Sequence, residues 1–353
     1  MAGDDRVLPA APGIGDGCSG PRNENEELRT HHCWSGLEES DRREASAAGR
    51  RRFWTELGLV AMVTIWGVNF SVVKWALAVI EPLGFNALRH VLASAFMLGV
   101  LAVRGGVGAP SRRDLGLIVL LGLVGNVAYQ MAFIFGLNRT RAGNASLMLA
   151  LVPIFLLVFG GRGAETRGVA WLGAGLSVLG VALVSGSALQ LEGTATLVGD
   201  LMMIGAAAMW AAYTLGARPL IERYGPIRTT AWTLWAGSIG LFLAGIPSLL
   251  RQDWSAVGIA AWGGVIYSSL LSIGLAYLLW YRGVQQLGGA RTAIFSNLTP
   301  VVALAAGALW LGERLTIYAI FGAALVLGGI FLVRRGDRQV WTSGSRIQRG
   351  RGR

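Results

Sequence analysis

The side chains with the clearest chemical capacity in this 353-residue chain are aromatic and amide residues set among apolar neighbours, with a single arginine in their midst. Trp66 and Asn69 share the first apolar segment; Tyr129, Trp210, Tyr213, Tyr277, Trp280 and Asn297 lie in later ones. A Trp away from a lipid–water interface must find a partner for its N–H or border a wet cavity. Trp66 and Trp210 are therefore either packing residues or the aromatic walls of a central site suited to amphipathic or aromatic metabolites. Polar side chains are costly in lipid, so Asn69 and Asn297 must face protein or a water-filled pathway. For a lone Ser or Thr, an interhelical hydrogen bond of about 0.6–2 kcal/mol is the simpler account. These eight residues form the candidate substrate-binding set.

Arg89 is the formally charged residue well inside an expected membrane span, about seven residues or ~10 Å from its start. An ionised group there is expensive and normally faces a cavity or a partner. It could attract a substrate carboxylate, or its guanidinium could reach the interface or bond backbone carbonyls and so brace the fold. His90, on another side of the same helix, reads as structural.

Other chemistries find little support. Glu56, Glu81, Asp114, Glu165, Glu192, Asp200, Glu222, Asp253 and Glu313 all fall at segment ends or in loops, so no carboxylate relay is visible in mid-membrane. There is no Gly-x-x-x-x-Gly-Lys-Ser/Thr, so direct use of ATP is not expected. An intramembrane enzyme would need a partner for His90, and no buried carboxylate offers one. His31-His32-Cys33 resembles a metal cluster, yet a structural zinc site needs four ligands, and Cys18 does not supply a convincing fourth. No catalytic residue, metal or cofactor is expected.

The elements that must position the candidates are read from composition. Hydrophobic residues make up 53% of the chain and charged ones 14%, too few charges to coat a soluble protein of this size. Abundant Gly (51) and Trp (13) suit helices that pack closely in lipid and anchor at interfaces. The net charge of +11 comes from tails and short loops rather than an amphipathic face, so the expected partner is the lipid bilayer, with no nucleic acid. A small-molecule substrate is the other expected partner, and a homodimer is left open. Residues 1–52 hold no apolar run and read as a disordered cytoplasmic tail; their acidic start and lack of an apolar core do not describe a signal peptide.

From Leu57 onward the chain divides into apolar segments near the ~20 residues needed to cross a ~30 Å hydrocarbon core. The spacing predicts ten helices, at about 55–76, 82–103, 115–137, 142–161, 168–188, 197–217, 228–250, 256–281, 290–311 and 315–334. With both termini inside, the inner loops hold ten Arg and the tails fifteen more, against Lys74, Arg139, Arg141, Arg251 and Arg314 outside. That imbalance predicts a multi-pass protein of the cell's inner membrane with both ends cytoplasmic.

The chain is also duplicated. Residues Gly143 to Arg167 and Ala290 to Arg314 share one plan: small and polar residues, then Leu-x-Pro at Pro153 and Pro300, an apolar run, and a closing Glu. Trp66 and Lys74 correspond to Trp210 and Arg218, and Ala128-Tyr129 to Ala276-Tyr277. GAGLSVLGVALV from Gly173 matches GAALVLGGIFLV from Gly322 at six of twelve places. Five spans per half is an odd number, so the second half must enter the membrane from the opposite side, the plan of many secondary transporters. The fold expected is therefore an all-α integral membrane protein, with ten transmembrane helices in two inverted five-helix repeats. Pro153 and Pro300 each free a carbonyl and bend a helix, as hinges or as static kinks.

These features together resemble the drug/metabolite transporter superfamily, EamA branch: the Trp of spans one and six, Arg89 in span two, the small-polar-then-Leu-x-Pro segments, Leu311-Gly312-Glu313-Arg314, and the Gly-rich fifth and tenth spans. The resemblance covers about residues 55 to 335. It implies one repeat over 53–190 and a second over 191–335, followed by a basic cytoplasmic tail over 336–353. It also implies an alternating-access carrier, most readily an exporter of amino acids or related amphipathic compounds. A nucleotide-sugar or sugar-phosphate exchanger of the same superfamily is the second reading, and a non-transporting membrane scaffold the one outside transport. The resemblance carries an Arg at the position of Arg89 across many substrates, which favours a bracing role; with Pro153, Pro300 and Glu313 it forms the structural or gating set. One departure stands out: the first half reaches Glu165 one residue sooner than Pro300 reaches Glu313, and lacks the Leu-Gly before it. The fourth helix is accordingly expected to end early, which weakens a loop-closing role for Glu165.

Overall fold

The computed structural model describes the backbone of residues 24–159, 168–192, 194–287, 292 and 295–350. By internal contacts it divides into two units, Met1–Trp54 and Thr55–Arg353. Within the first, the described residues from Glu24 are helical. Helix formation needs no apolar core when the residues are charged and alanine-rich, as in Glu38–Gly49.

Among the described residues the regular structure is helical, joined by turns and loops, with no strand. Helix α1 is Glu24–Ala76, with its apolar part Gly49–Ala76. It is followed by α2 (Pro82–Val103), α3 (Leu115–Arg139), α4 (Ala142–Phe159), α5 (Gly168–Glu192) and α6 (Thr194–Gly216). After a short helix at Arg218–Tyr224 come α7 (Pro226–Arg251), α8 (Ile259–Leu287), α9 (Thr299–Leu311) and α10 (Ile317–Gly350). Among the described residues, eight helices, α1 to α8, are long and apolar enough to cross a membrane. The apolar stretches of α9 and α10, Thr299–Leu311 and Ile317–Val333, are shorter than the expected ninth and tenth spans. For α9 the difference lies at its start, because residues 288–291, 293 and 294 fall outside the described residues. Glu165 also lies outside them, and α4 is described only to Phe159.

Helix association in lipid gains little from apolar burial and depends on close packing of small residues. The pairing of α5 with α10 shows this. A Cβ on Gly180 would lie 2.6 Å from the carbonyl oxygen of Gly322, and one on Gly322 would lie 2.7 Å from that of Gly180. Gly173 and Gly329, one heptad away on each helix, meet in the same reciprocal way. Ser177 sits between these crossings and donates to Gly173 O (3.0 Å) and across to Val326 O (3.2 Å). On their other sides the two helices expose Leu172, Val178, Leu179, Ile320 and Phe321, an apolar surface suited to lipid.

Two departures from regular helix recur in both halves. The first lies in α3 and α8, which carry π-helical stretches at Leu123–Ala128 and Tyr267–Leu275. Each ends at or immediately before the repeated Ala-Tyr pair, Ala128-Tyr129 and Ala276-Tyr277. The second is a turn ahead of each Leu-x-Pro proline, at Ala150–Leu151 in α4 and at Asn297–Leu298 before α9. Pro153 and Pro300 therefore occupy the first turn of the helix after it, where a missing N–H costs nothing, rather than the interior of a continuous one.

Candidate functional site

The π-helical stretches set the direction of the two tyrosines. A π-turn inserts one residue into the helix, rotating the residues beyond it and releasing carbonyls from the regular ladder. Ser272 O, within the α8 stretch, accepts the indole N–H of Trp66 at 3.1 Å, and Tyr267 donates to Ile65 O at 3.0 Å. In α3 the stretch contains Gly125, which allows the ring of Tyr213 to lie directly against the helix backbone. Asn126 of the same stretch donates to Thr233 O on α7 at 3.1 Å.

The result is a continuous aromatic group drawn from α1, α3, α6 and α8. Trp66 meets Tyr277 edge-on at 5.9 Å between centroids and Trp280 at 6.0 Å. Tyr277 reaches Trp210 at 6.1 Å, and Trp210 contacts both Tyr129 (5.1 Å) and Tyr213 (5.2 Å). All are within the range of favourable ring pairs. Six of the eight residues named from the sequence thus come together: Trp66, Tyr129, Trp210, Tyr213, Tyr277 and Trp280. Five of these keep part of their surface open, and only Tyr213 is buried, its hydroxyl paired with Thr233 Oγ1 at 3.1 Å.

The two amides stand apart from the ring contacts. Asn69 is buried on α1 with its Oδ1 unbonded, beside Phe70. Asn297 is half-buried in the turn that precedes α9. Gly67 brings α1 against the first turn of α9, since a Cβ there would lie 2.5 Å from Val302 Cβ and 3.0 Å from Thr299 O.

Sequence reading missed two phenylalanines that extend the group. Phe133 packs on Tyr129 (6.0 Å) and on Phe70 (5.7 Å), and it also lies under the guanidinium of Arg89, 5.4 Å from its ring centre. Its place four residues after Tyr129, on the same helix face, was the available signal. Arg89 itself is buried on α2, donates to Gln130 Oε1, and stacks over Phe85 at 5.6 Å. His90, also buried, bonds the carbonyl of Asn86 through Nδ1 at 2.9 Å.

Polar closures lie at the helix ends. The carboxylate of Glu313 accepts from the backbone N–H groups of Ala142 (2.7 Å) and Gly143 (3.2 Å), the first turn of α4. Gly312, in the left-handed region at φ 65°, ends α9 and turns the chain back so that Glu313 can reach. Arg141 donates to Arg314 O at 2.9 Å, and Lys74 to Thr140 O. These residues, with Arg139, line a cavity of about 380 Å³. Just behind it, buried Asp200 receives the hydroxyls of Thr140 (2.5 Å) and Ser185 (2.7 Å). At the opposite end of α3, Asp114 accepts from Tyr224 (2.6 Å) and Arg223 (2.5 Å). The tyrosine hydroxyl, then the arginine, hold its carboxyl below the usual carboxylate range.

Residues 53–186 and 197–335 each match the EamA-like transporter family. The chain belongs to that family. It is a multi-pass membrane transporter by this membership and by its apolar helices. Among EamA-like relatives, a probable terminal-alkyne amino-acid exporter of Streptantibioticus cattleyicolor is 29% identical over 281 residues, 78% of this chain and 92% of the relative. The transporter YyaM of Bacillus subtilis is 26% identical, covering 75% of this chain and 88% of its own. A transporter of Archaeoglobus fulgidus is 27% identical, covering 80% and 98%. A solved crystal structure, 17% identical, superposes with a TM-score of 0.57 over 80% of this chain and 97% of that one, a likeness of fold. The two family matches also fall on the two halves in which the π-stretches and the proline turns recur.

Proposed function

We propose that this EamA-like transporter exports amino acids or related amphipathic compounds across the cell's inner membrane by alternating access. In this reading α1 to α10 are ten spans in two inverted repeats, both termini are cytoplasmic, and the substrate sits among Trp66, Tyr129, Trp210, Tyr213, Tyr277 and Trp280. The observation that carries it is that this aromatic group is assembled from both halves, α1 and α3 of the first and α6 and α8 of the second. A site shared between repeats changes shape when one half rocks against the other, which is what alternating access requires. Aromatic walls with partly open faces suit an apolar or aromatic body, and a named amino-acid exporter among the relatives points to the same class.

A nucleotide-sugar or sugar-phosphate exchanger is the second reading. It draws on the four cationic side chains around the 380 Å³ cavity, Lys74, Arg139, Arg141 and Arg314. The aromatic group itself offers a phosphate only Arg89 at its edge. Counterflow in proteoliposomes with labelled amino acids, nucleosides, sugars and sugar phosphates separates the two. Topology has its own test: a reporter fused after Gln190 is expected outside the cytoplasm, and a cytoplasmic signal contradicts the inverted arrangement.

A further inference from the structure

A guanidinium is charged at any physiological pH, and within a membrane it pairs, bonds carbonyls or borders a substrate path. Arg89 is only 2% exposed, and among the described residues no carboxylate pairs with it. What Arg89 does have is one neutral acceptor, Gln130 Oε1, and two ring faces, Phe85 and Phe133. Its Nε–H has no acceptor at all. A brace would be expected to spend its donors on backbone carbonyls, and here the Nε edge is left unspent. Gln130 holds the group in place, and the rings shield its faces, leaving an in-plane donor for a ligand.

The position of Arg89 relative to the aromatic group completes the case. Phe133 touches both Arg89 and Tyr129, and so joins the guanidinium to the aromatic group. Further along α3, by the nine residues from Gln130 to Arg139 or ~13 Å, lies the cavity whose lining holds four cationic side chains against one carboxylate.

We infer that Arg89 is the anion-recognising residue of the central site, and that the transported molecule carries a carboxylate beside an apolar or aromatic body. This rests on the aromatic group being the substrate site. The carboxylate supplies the charge that Arg89 lacks and accepts its free Nε–H, while the body packs against Tyr129, Trp210 and Tyr277.

The test is a binding comparison on purified full-length protein, using each acid beside its amide: tryptophan with tryptophanamide, and indole-3-acetate with indole-3-acetamide. A charged hydrogen-bonded pair in a buried site predicts that at least one acid binds about 10- to 100-fold more tightly than its amide. Arg89→Gln is expected to bring that ratio to about one, and Arg89→Lys to weaken the acid while leaving the amide unchanged. If Arg89→Gln does not fold, the wild-type ratio and Arg89→Lys decide. Equal binding of acid and amide by the wild type overturns the inference, as does an unchanged ratio in folded Arg89→Gln, or an equal loss of both ligands in Arg89→Lys. Preference for indole-3-acetate without amino-acid transport would leave Arg89 in its role and remove the amino-acid reading. Amino-acid transport with no acid preference would do the reverse.

Discussion

The carboxylate of Glu313, at the end of α9, accepts the backbone N–H of Ala142, at the start of α4, at 2.7 Å. Its second oxygen takes the next N–H, that of Gly143. A helix start in the first half is thus capped by a residue of the second. The copy of this segment in the first half lacks the Leu-Gly that lets Glu313 turn back, and its Glu165 lies outside the described residues.

Removing this cap should loosen the pair α4 and α9. Glu313→Ala is expected to cost about 1–2 kcal/mol, the range of a lost charged cap, and Glu313→Gln about half of that. Thermal unfolding of the purified protein in detergent measures both. An unchanged midpoint in Glu313→Ala would show that the contact does not hold the halves together.

The aromatic group gives a second expectation. A substrate ring or apolar body packed on Trp210 or Tyr277 gains about 0.5–1.5 kcal/mol per ring pair, so truncating either should lower substrate affinity by up to about tenfold. Trp254, stacked on Trp262 at 5.6 Å and 37% exposed, is the control. Trp254→Ala should transport normally. Normal flux in both Trp210→Ala and Tyr277→Ala, at normal protein level, would remove them from the site.

Close packing of α5 on α10 predicts a contrast within one helix. Gly180→Ala would press its methyl to 2.6 Å from the backbone oxygen of Gly322, which cannot turn aside. Gly175→Ala meets nothing within 4 Å and gains helix propensity. The first should lower the yield of monodisperse protein and its melting temperature, and the second should not. Equal behaviour would mean that the two helices are not packed through these glycines.

Asp114 gives a pH dependence with a definite sign. Its carboxyl is held below the ordinary range by Tyr224 and then Arg223, so it binds its proton more weakly in the folded protein than in the unfolded chain. The stabilisation is fully present above the ordinary carboxylate range and is lost as pH falls through the lowered value. Melting of Asp114→Asn should therefore lie below the wild type near neutrality and converge with it in acid. Because the Arg223 side chain is 58% exposed, its own share is screened, and Tyr224→Phe should reproduce much of the effect.

Much of this was legible in the residues. Period and hydropathy placed α2 and α3 at their starts, because a run of twenty apolar residues between charges has few other fates in lipid. Trp66 and Trp210, at corresponding places of the duplication, suggested the aromatic walls of one site, and Tyr277 joins the two rings into one group. What could not be read was the π-helical stretch before each tyrosine. A one-residue insertion in a helix leaves no mark in an apolar pattern, yet it aims Tyr129 and Tyr277. For Arg89 the sequence favoured bracing, because which donors the surroundings leave unspent depends on packing that no residue pattern records. Asn297 was grouped with the aromatics on polarity alone, and the turn before α9 sets it apart from them.

The decisive measurement for a transport site walled by these aromatics is counterflow of labelled amino acids in proteoliposomes, run with the wild type and Trp210→Ala in parallel at several pH values. An aromatic or other amphipathic amino acid trapped inside is expected to drive uptake of its labelled form through the wild type, and Trp210→Ala to reduce this uptake. Exchange of sugar phosphates with no response to any amino acid, or amino-acid exchange indifferent to Trp210, would contradict it.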